Sequence, residues 1–405
     1  MIYGKFEGRF YMEEKKRTNT RTRTVGNGEG SLFKSKKSDC WKFQYYDSSG
    51  KRKTIQQKKK ESVTDFKKRV TDLKNKLNNG TYIEKSTETF ISILERYINQ
   101  KYIDGITSDS SYLRDKYTVN QIKSSCSNFI NMPIQKITVY EIEEAKPYIR
   151  QYAQTSIDKI WRLIHKTFQL GVARRKIIFN PMNDEILTKP ISTKEPQKIE
   201  ALTRQEEASL RKILNTTERN HKYRNIVLLQ LDTGMRIGEV LARSKNDIDN
   251  KNQTLSIHNT LTKDKNSKII LGKHTKTYNK RTGVDKGKRI IDMNKEVQQI
   301  IQEQLKKKIT NIYGLLFWDY IDNTFVKYYE INSWLKRLNE KYKITNLELS
   351  SHNLRHTYIT RLREKGVDMK VIQYLVGHVE GSSITDDVYT SLSKEFIQDE
   401  MKKVN

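Results

Sequence analysis

The spacing of apolar positions changes character along the chain. Between Gly30 and Leu77 short alternating runs come first. Gly-Ser-Leu-Phe-Lys at 30–34, Cys-Trp-Lys-Phe-Gln-Tyr-Tyr at 40–46 and Lys-Arg-Lys-Thr-Ile-Gln at 51–56 read as three strands, with Asp47-Ser-Ser-Gly50 as a turn. Phe66, Val70, Leu73 and Leu77 then recur at helical spacing behind Thr64, which is placed to cap that helix. From 85 to about 180 the period is 3.6, clearest in 89–98, 119–130 and 156–168, which predicts a bundle of helices. Asn180-Pro181 and the run 189–197, with two of the five prolines, break the period and mark a linker at 186–199.

Beyond residue 200 the pattern predicts helices around 204–214 and 223–231, strands around 254–258, 269–273 and 289–293, and further helices to the end. Residues 1–24 are polar and charged with no apolar period, and read as a disordered basic N-terminus. The expected fold is multidomain and mainly α with small antiparallel sheets. It comprises a three-stranded sheet plus helix at 25–80, a helical bundle at 85–185, the linker, and an α+β domain with a tail helix at 200–405.

A chain of 405 residues is longer than one hydrophobic core usually supports, which agrees with several domains. Charge says more. The chain carries 77 Lys and Arg against 48 Asp and Glu, a net +29, and such an excess points to a polyanion, nucleic acid first. Residues 1–80 hold 22 of these cations and 9 of the anions, so the first module is expected to touch DNA by itself.

No apolar run reaches the roughly 18–20 residues that span a bilayer, and the start lacks a signal peptide's apolar stretch, so the reading is a cytoplasmic protein without a membrane partner. Cys40 and Cys126 form neither a disulfide framework nor a zinc pattern. The segment 283–289 fails the P-loop spacing, Gly26-x-Gly-x-Gly30 follows no apolar strand, and no HExxH occurs, so no nucleotide or metal cofactor is expected.

Candidate chemistry gathers late in the chain. Thr233-Gly-Met-Arg-Ile-Gly-Glu-Val-Leu-Ala242 sets Arg236 after a glycine turn at a helix start, with Glu239 on the same face. His352-Asn-Leu-Arg-His356 places His352 and Arg355 on one helical face behind Ser350 and Ser351 as caps. Asp368 opens a short helix with Val371, Ile372 and Leu375 inward; Gly377 ends it and His378 follows. Each box alone reads equally well as an ion pair, a solvated helix start or a capped helix. Three of the seven histidines nevertheless fall between 352 and 378, close before Tyr389 in Asp387-Val-Tyr-Thr-Ser391.

In this order, over residues 200–400, the arginine box, His-x-x-Arg, Gly-His and late tyrosine resemble the tyrosine recombinase family of phage and conjugative-transposon integrases. The resemblance implies that Tyr389 attacks a DNA phosphodiester, Arg236 and Arg355 hold its non-bridging oxygens, and His352 and His378 serve proton transfer and hydrogen bonding. It also implies a lysine proton donor in a β-hairpin turn between Ile269 and Met293. Lys276 in His274-Thr-Lys-Thr277 best matches that context, with Lys280, Lys286 and Lys288 as rivals. By the same resemblance, 25–80 is an arm-site-binding domain, 85–185 a core-site-binding domain and 200–405 the catalytic domain. Implied partners are double-stranded DNA at core and arm sites, three further copies in a homotetramer, and DNA-bending and directionality factors. A catalytically silent DNA-binding regulator of the same fold is the alternative.

Overall fold

The computed structural model describes residues 30–35, 38–47, 50–195, 200–280, 282–308, 310–377 and 401–402. Residues 1–24, His378, Tyr389 and most of the tail helix at 393–401 therefore lie outside the described residues.

The first module is an antiparallel meander of β1 (Ser31–Lys34), β2 (Trp41–Tyr46) and β3 (Arg52–Gln56), with Leu32 opposite Phe43 and Phe43 opposite Ile55. Period-2 alternation turns Phe43 and Tyr45 to one face of β2, where α1 (Val63–Asn78) covers them with Phe66 and Val70. The cap of α1 is Ser62 rather than Thr64. Its hydroxyl accepts from the Asp65 N–H at 3.0 Å and donates to the Asp65 carboxylate at 2.7 Å, so the helix starts two positions earlier than the apolar spacing suggests. Tyr82 closes the small core, its hydroxyl 2.8 Å from that of Tyr45.

The second module packs α2 (Phe90–Ile103), α3 (Asp109–Ser125), α4 (Val139–Ile149) and α5 (Gln154–Ala173) around Phe90, Phe129 and Phe168, whose rings meet at 5.1–5.3 Å. On α5, Ile157, Ile160, Ile164 and Phe168 form the buried stripe. Thr89, Ser108 and Thr138 cap their helices with side-chain oxygens. The chain then returns along α4 and α5, where Thr193 N–H reaches Arg150 O at 3.0 Å and Ser192 N–H reaches Gln154 Oε1 at 2.9 Å.

The third module begins with α6 (Arg204–Asn215), α7 (Arg224–Thr233) and the short α8 (Ile237–Leu241). Strands β4 (Ile248–Asp249), β5 (Thr254–Ile257), β6 (Thr260–Lys263), β7 (Ile269–Gly272) and β8 (Arg289–Asp292) follow. The chain continues through α9 (Lys295–Lys306), α10 (Tyr328–Tyr342), α11 (Ser351–Glu364) and α12 (Met369–Val376). Nearly every residue of α7 is buried, so it serves as the central helix on which α9 and α11 pack. The architecture is mainly helical with small antiparallel sheets. The strands pair differently from the expected β7–β8 hairpin: β8 joins β5 and β4, while β7 pairs with β6, a strand the apolar pattern did not mark. All four side chains of β6 are half-buried, so it lacks the alternation that makes a strand legible.

Candidate active site

Helix α7 ends at Gly234 in the left-handed region (φ 61°), and a Cβ there would run into the Tyr358 ring of α11. That turn delivers Arg236, in extended backbone, to the N-cap of α8. Glu239, three residues on, reaches back to accept from the Arg236 N–H and from its Nη1, both at 3.1 Å. This is no surface ion pair, because Glu239 is fully buried and also accepts from Arg289 Nη2 at 2.8 Å. Burial opposes ionisation of Glu239, but Arg289 and then Arg236 outweigh it and hold the carboxyl below its usual range. Arg289, just as buried, donates further to Leu375 O (2.7 Å) and Gly287 O (2.9 Å), and so ties β8, α8 and α12 together.

Helix α11 starts at Ser350, whose N–H and hydroxyl both donate to the Asn353 side chain, at 2.9 and 2.7 Å. Its next turn presents His352 and Arg355. Arg355 is buried; its Nη1 donates to Gly234 O at 2.8 Å, while the buried Nη2 has no hydrogen-bond partner among the described residues. Burial, and then the neighbouring Arg236, press its pKa down to about 9, which still leaves the guanidinium charged at neutral pH. His352 opens to the cleft, and burial followed by the charges of Lys276, His356 and Arg355 pushes its pKa below the ordinary histidine value.

Helix α12 is capped by Asp368 and ends at Gly377 in the left-handed region (φ 61°). A Cβ on Gly377 would stand 2.5 Å from Arg289 Nη1 and 3.5 Å from Arg236 Nη1, so the residue just before His378 lies against the arginine pair. His378 and Tyr389 themselves fall outside the described residues.

The candidate lysines sit on the loop 273–288, between β7 and β8, rather than at the tip of a hairpin formed by those two strands. Lys276 and Lys280 line the same cleft as Arg236, His352 and Arg355; Lys286 and Lys288 are not among its lining residues. Burial, then the charges of Arg236, Arg114 and Arg355, lower the pKa of Lys276. The cleft has a volume of about 1840 Å³, and the α3 and α5 side of the second module forms its opposite wall with Arg114 and Lys159. Lys263, Lys273 and Arg363 add to its positive lining. An anion with several acceptor oxygens is the ligand such a cleft accommodates.

Four of the six sequence-identified residues are thus brought to one cleft. Sequence reasoning missed the buried bridge through Glu239 and Arg289 and the contribution of Arg114. For Arg289 there was one signal: a charged residue in the same register as Ile291, on the buried face of β8.

Residues 200–395 match the Phage integrase family. The integrase of Staphylococcus phage L54a is 27% identical over 359 residues, which are 80% of this chain and 94% of that protein. Among solved structures, the Tn1549 transposon integrase in complex with transposon right end DNA has a TM-score of 0.61 at 20% identity, covering 78% of this chain and 99% of that one. The lambda integrase tetramer bound to a Holliday junction has a TM-score of 0.52 at 16% identity, covering 89% and 98%. Both structural likenesses concern the fold. The match over residues 200–395 and the sequence relatives lead to one conclusion: the chain carries a phage integrase family domain and is a tyrosine-type site-specific recombinase of the phage and conjugative-transposon kind.

Proposed function

We propose that the chain exchanges DNA strands at paired recombination sites, integrating and excising a mobile element, through a 3′-phosphotyrosine at Tyr389. The Tyr389 oxygen attacks phosphorus while its proton passes to His352. The P–O5′ bond breaks, and Lys276 protonates the departing oxygen. Arg236 and Arg355 hold the non-bridging oxygens, whose negative charge grows as phosphorus becomes five-coordinate; His378 adds a hydrogen bond. The ester's energy stays in the phosphotyrosine, so a 5′ hydroxyl reverses the attack without ATP or metal.

The observation that carries this reading is the buried Arg355 Nη2, without a partner among the described residues, in a cleft shared with Arg236, Lys276 and His352. Leaving a charged donor buried without an acceptor costs stability, and a phosphate oxygen would supply that acceptor.

In this scheme residues 25–80 bind arm sites, 85–185 bind core sites, and the catalytic domain at 200–405 holds the scissile phosphate. Four protomers act on two DNA sites through a four-way junction, with DNA-bending and directionality factors, in the bacterial cytoplasm at the nucleoid. The tetrameric lambda complex supports that assembly.

The test is an SDS-resistant adduct with a labelled, nicked duplex of element-end sequence, without metal or ATP. Wild type is expected to form it, and Tyr389→Phe to bind without forming it. An adduct surviving in Tyr389→Phe would show a different nucleophile, and binding without any adduct would make the protein a silent regulator.

A further inference from the structure

Lys276 faces an electrostatic difficulty. Three guanidinium groups, of Arg236, Arg114 and Arg355, act on it, and it rides on a loop between strands that do not pair with each other. A lysine on a free loop would swing away from those charges into solvent, since an ammonium on a four-carbon stem is strongly hydrated and mobile. Some structure must oppose the repulsion.

The Asp285 carboxylate does so. Its side chain is 9% exposed, and its two oxygens grip the residue immediately before the lysine. Oδ2 accepts from the Thr275 N–H at 2.8 Å, and Oδ1 accepts from the Thr275 hydroxyl and, at 3.2 Å, from the Gly287 N–H. The Thr275 hydroxyl lies 3.0 Å from that of Thr277, so both neighbours of Lys276 are tied to one point. A side chain at position 287 would occupy the place of these hydroxyls, which is why glycine stands there. The Asn279 N–H to Val284 O bond, 2.9 Å, closes the loop beyond.

We infer that Asp285 is a positioning residue for the proton donor: by anchoring Thr275 and Gly287 it holds the Lys276 ammonium in the arginine-lined cleft, within reach of the departing 5′ oxygen. This rests on the reading of Lys276 given above. In the step concerned the Tyr389 O–P bond forms and the P–O5′ bond breaks. Its electron pair goes to O5′, which takes one proton from the ammonium and leaves Lys276 neutral. A 5′-bridging sulfur leaves as thiolate and needs no proton.

The experiment compares single-turnover cleavage of an ordinary element-end duplex with one carrying a 5′-bridging phosphorothiolate, using the full chain. Lys276→Ala should lose about 10²-fold or more on the ordinary duplex, the usual range for a general acid, and recover on the sulfur duplex. Asp285→Asn keeps an acceptor but turns a donor toward the amides. It should lose about 10- to 100-fold, the cost of misplacing a catalytic group by an ångström, recover likewise, and bind DNA as wild type does.

Should Asp285→Asn fail to fold, Thr275→Val removes the hydroxyl's bonds to Asp285 and Thr277, keeps the Thr275 N–H bond to Asp285, and reads the same comparison. Lys276→Ala not recovering on sulfur would overturn the lysine assignment and this inference with it. Lys276→Ala recovering while Asp285→Asn is wild-type, or equally slow on both duplexes, would overturn the role of Asp285 alone.

Discussion

The arginines and the lysine that share the cleft are held in opposite ways. The half-buried Arg236 and the buried Arg355 project from helix starts, against the buried Glu239 carboxylate and the Gly234 carbonyl respectively, with Arg289 bracing Glu239 from behind. Lys276 sits on a loop without regular structure, open to the cleft, and its neighbours are secured mainly through Asp285. The difference fits the proposed chemistry. Groups that hold a phosphate must keep charge and geometry throughout, which suits a guanidinium fixed in the core. A group that gives up a proton gains from surroundings that make its charged form less comfortable.

The largest expected effect tests the fixed side. Arg355→Ala should slow cleavage on the order of 10³-fold, with a smaller loss of DNA binding, and Arg355→Lys should restore little because the forked geometry is gone. Single-turnover rates beside binding isotherms check this; equal losses in both would mean that Arg355 serves binding alone.

Next comes stability, where the two regions should diverge in sign. Arg289→Met leaves the fully buried Glu239 without its strongest partner and should cost about 3–5 kcal/mol, seen as a lowered thermal midpoint. Lys276→Met removes a charge that its surroundings disfavour, so its midpoint should stay level or rise while cleavage is lost. A marked fall for Lys276→Met would break the comparison.

The pH profile sharpens it further. Lys276 in the folded protein titrates below an ordinary lysine, so the acid form is lost as pH rises through that lowered value. Cleavage of the ordinary duplex should therefore decline on the alkaline side earlier than an unperturbed lysine would allow. The folded state, by the same linkage, gains relative stability between that value and the ordinary one. An alkaline limb unchanged in Lys276→Arg would assign it to another group.

The smallest effect lies at the start of α11. Ser350→Ala removes one of two hydrogen bonds to Asn353 and should cost about 1 kcal/mol, with cleavage reduced only slightly, as chemical denaturation and rate measurements would show.

What the sequence determined by itself was local. Apolar period marked most helices, Gly234 announced a turn and Gly377 a helix end, and the boxes around Arg236, His352 and Arg355 could be read because their spacing is that of a single helical turn. Tertiary structure decided everything that depends on distant segments meeting. Strand pairing is one case: β7 chose β6 over β8, because pairing is settled by backbone partners and shared burial that a run of four half-buried residues does not advertise. The charge network is the other. Glu239, Asp285 and Arg289 are ordinary charged residues in the sequence, and only folding, by removing water around them and bringing Arg236, Thr275 and Leu375 alongside, turns them into the supports of the site.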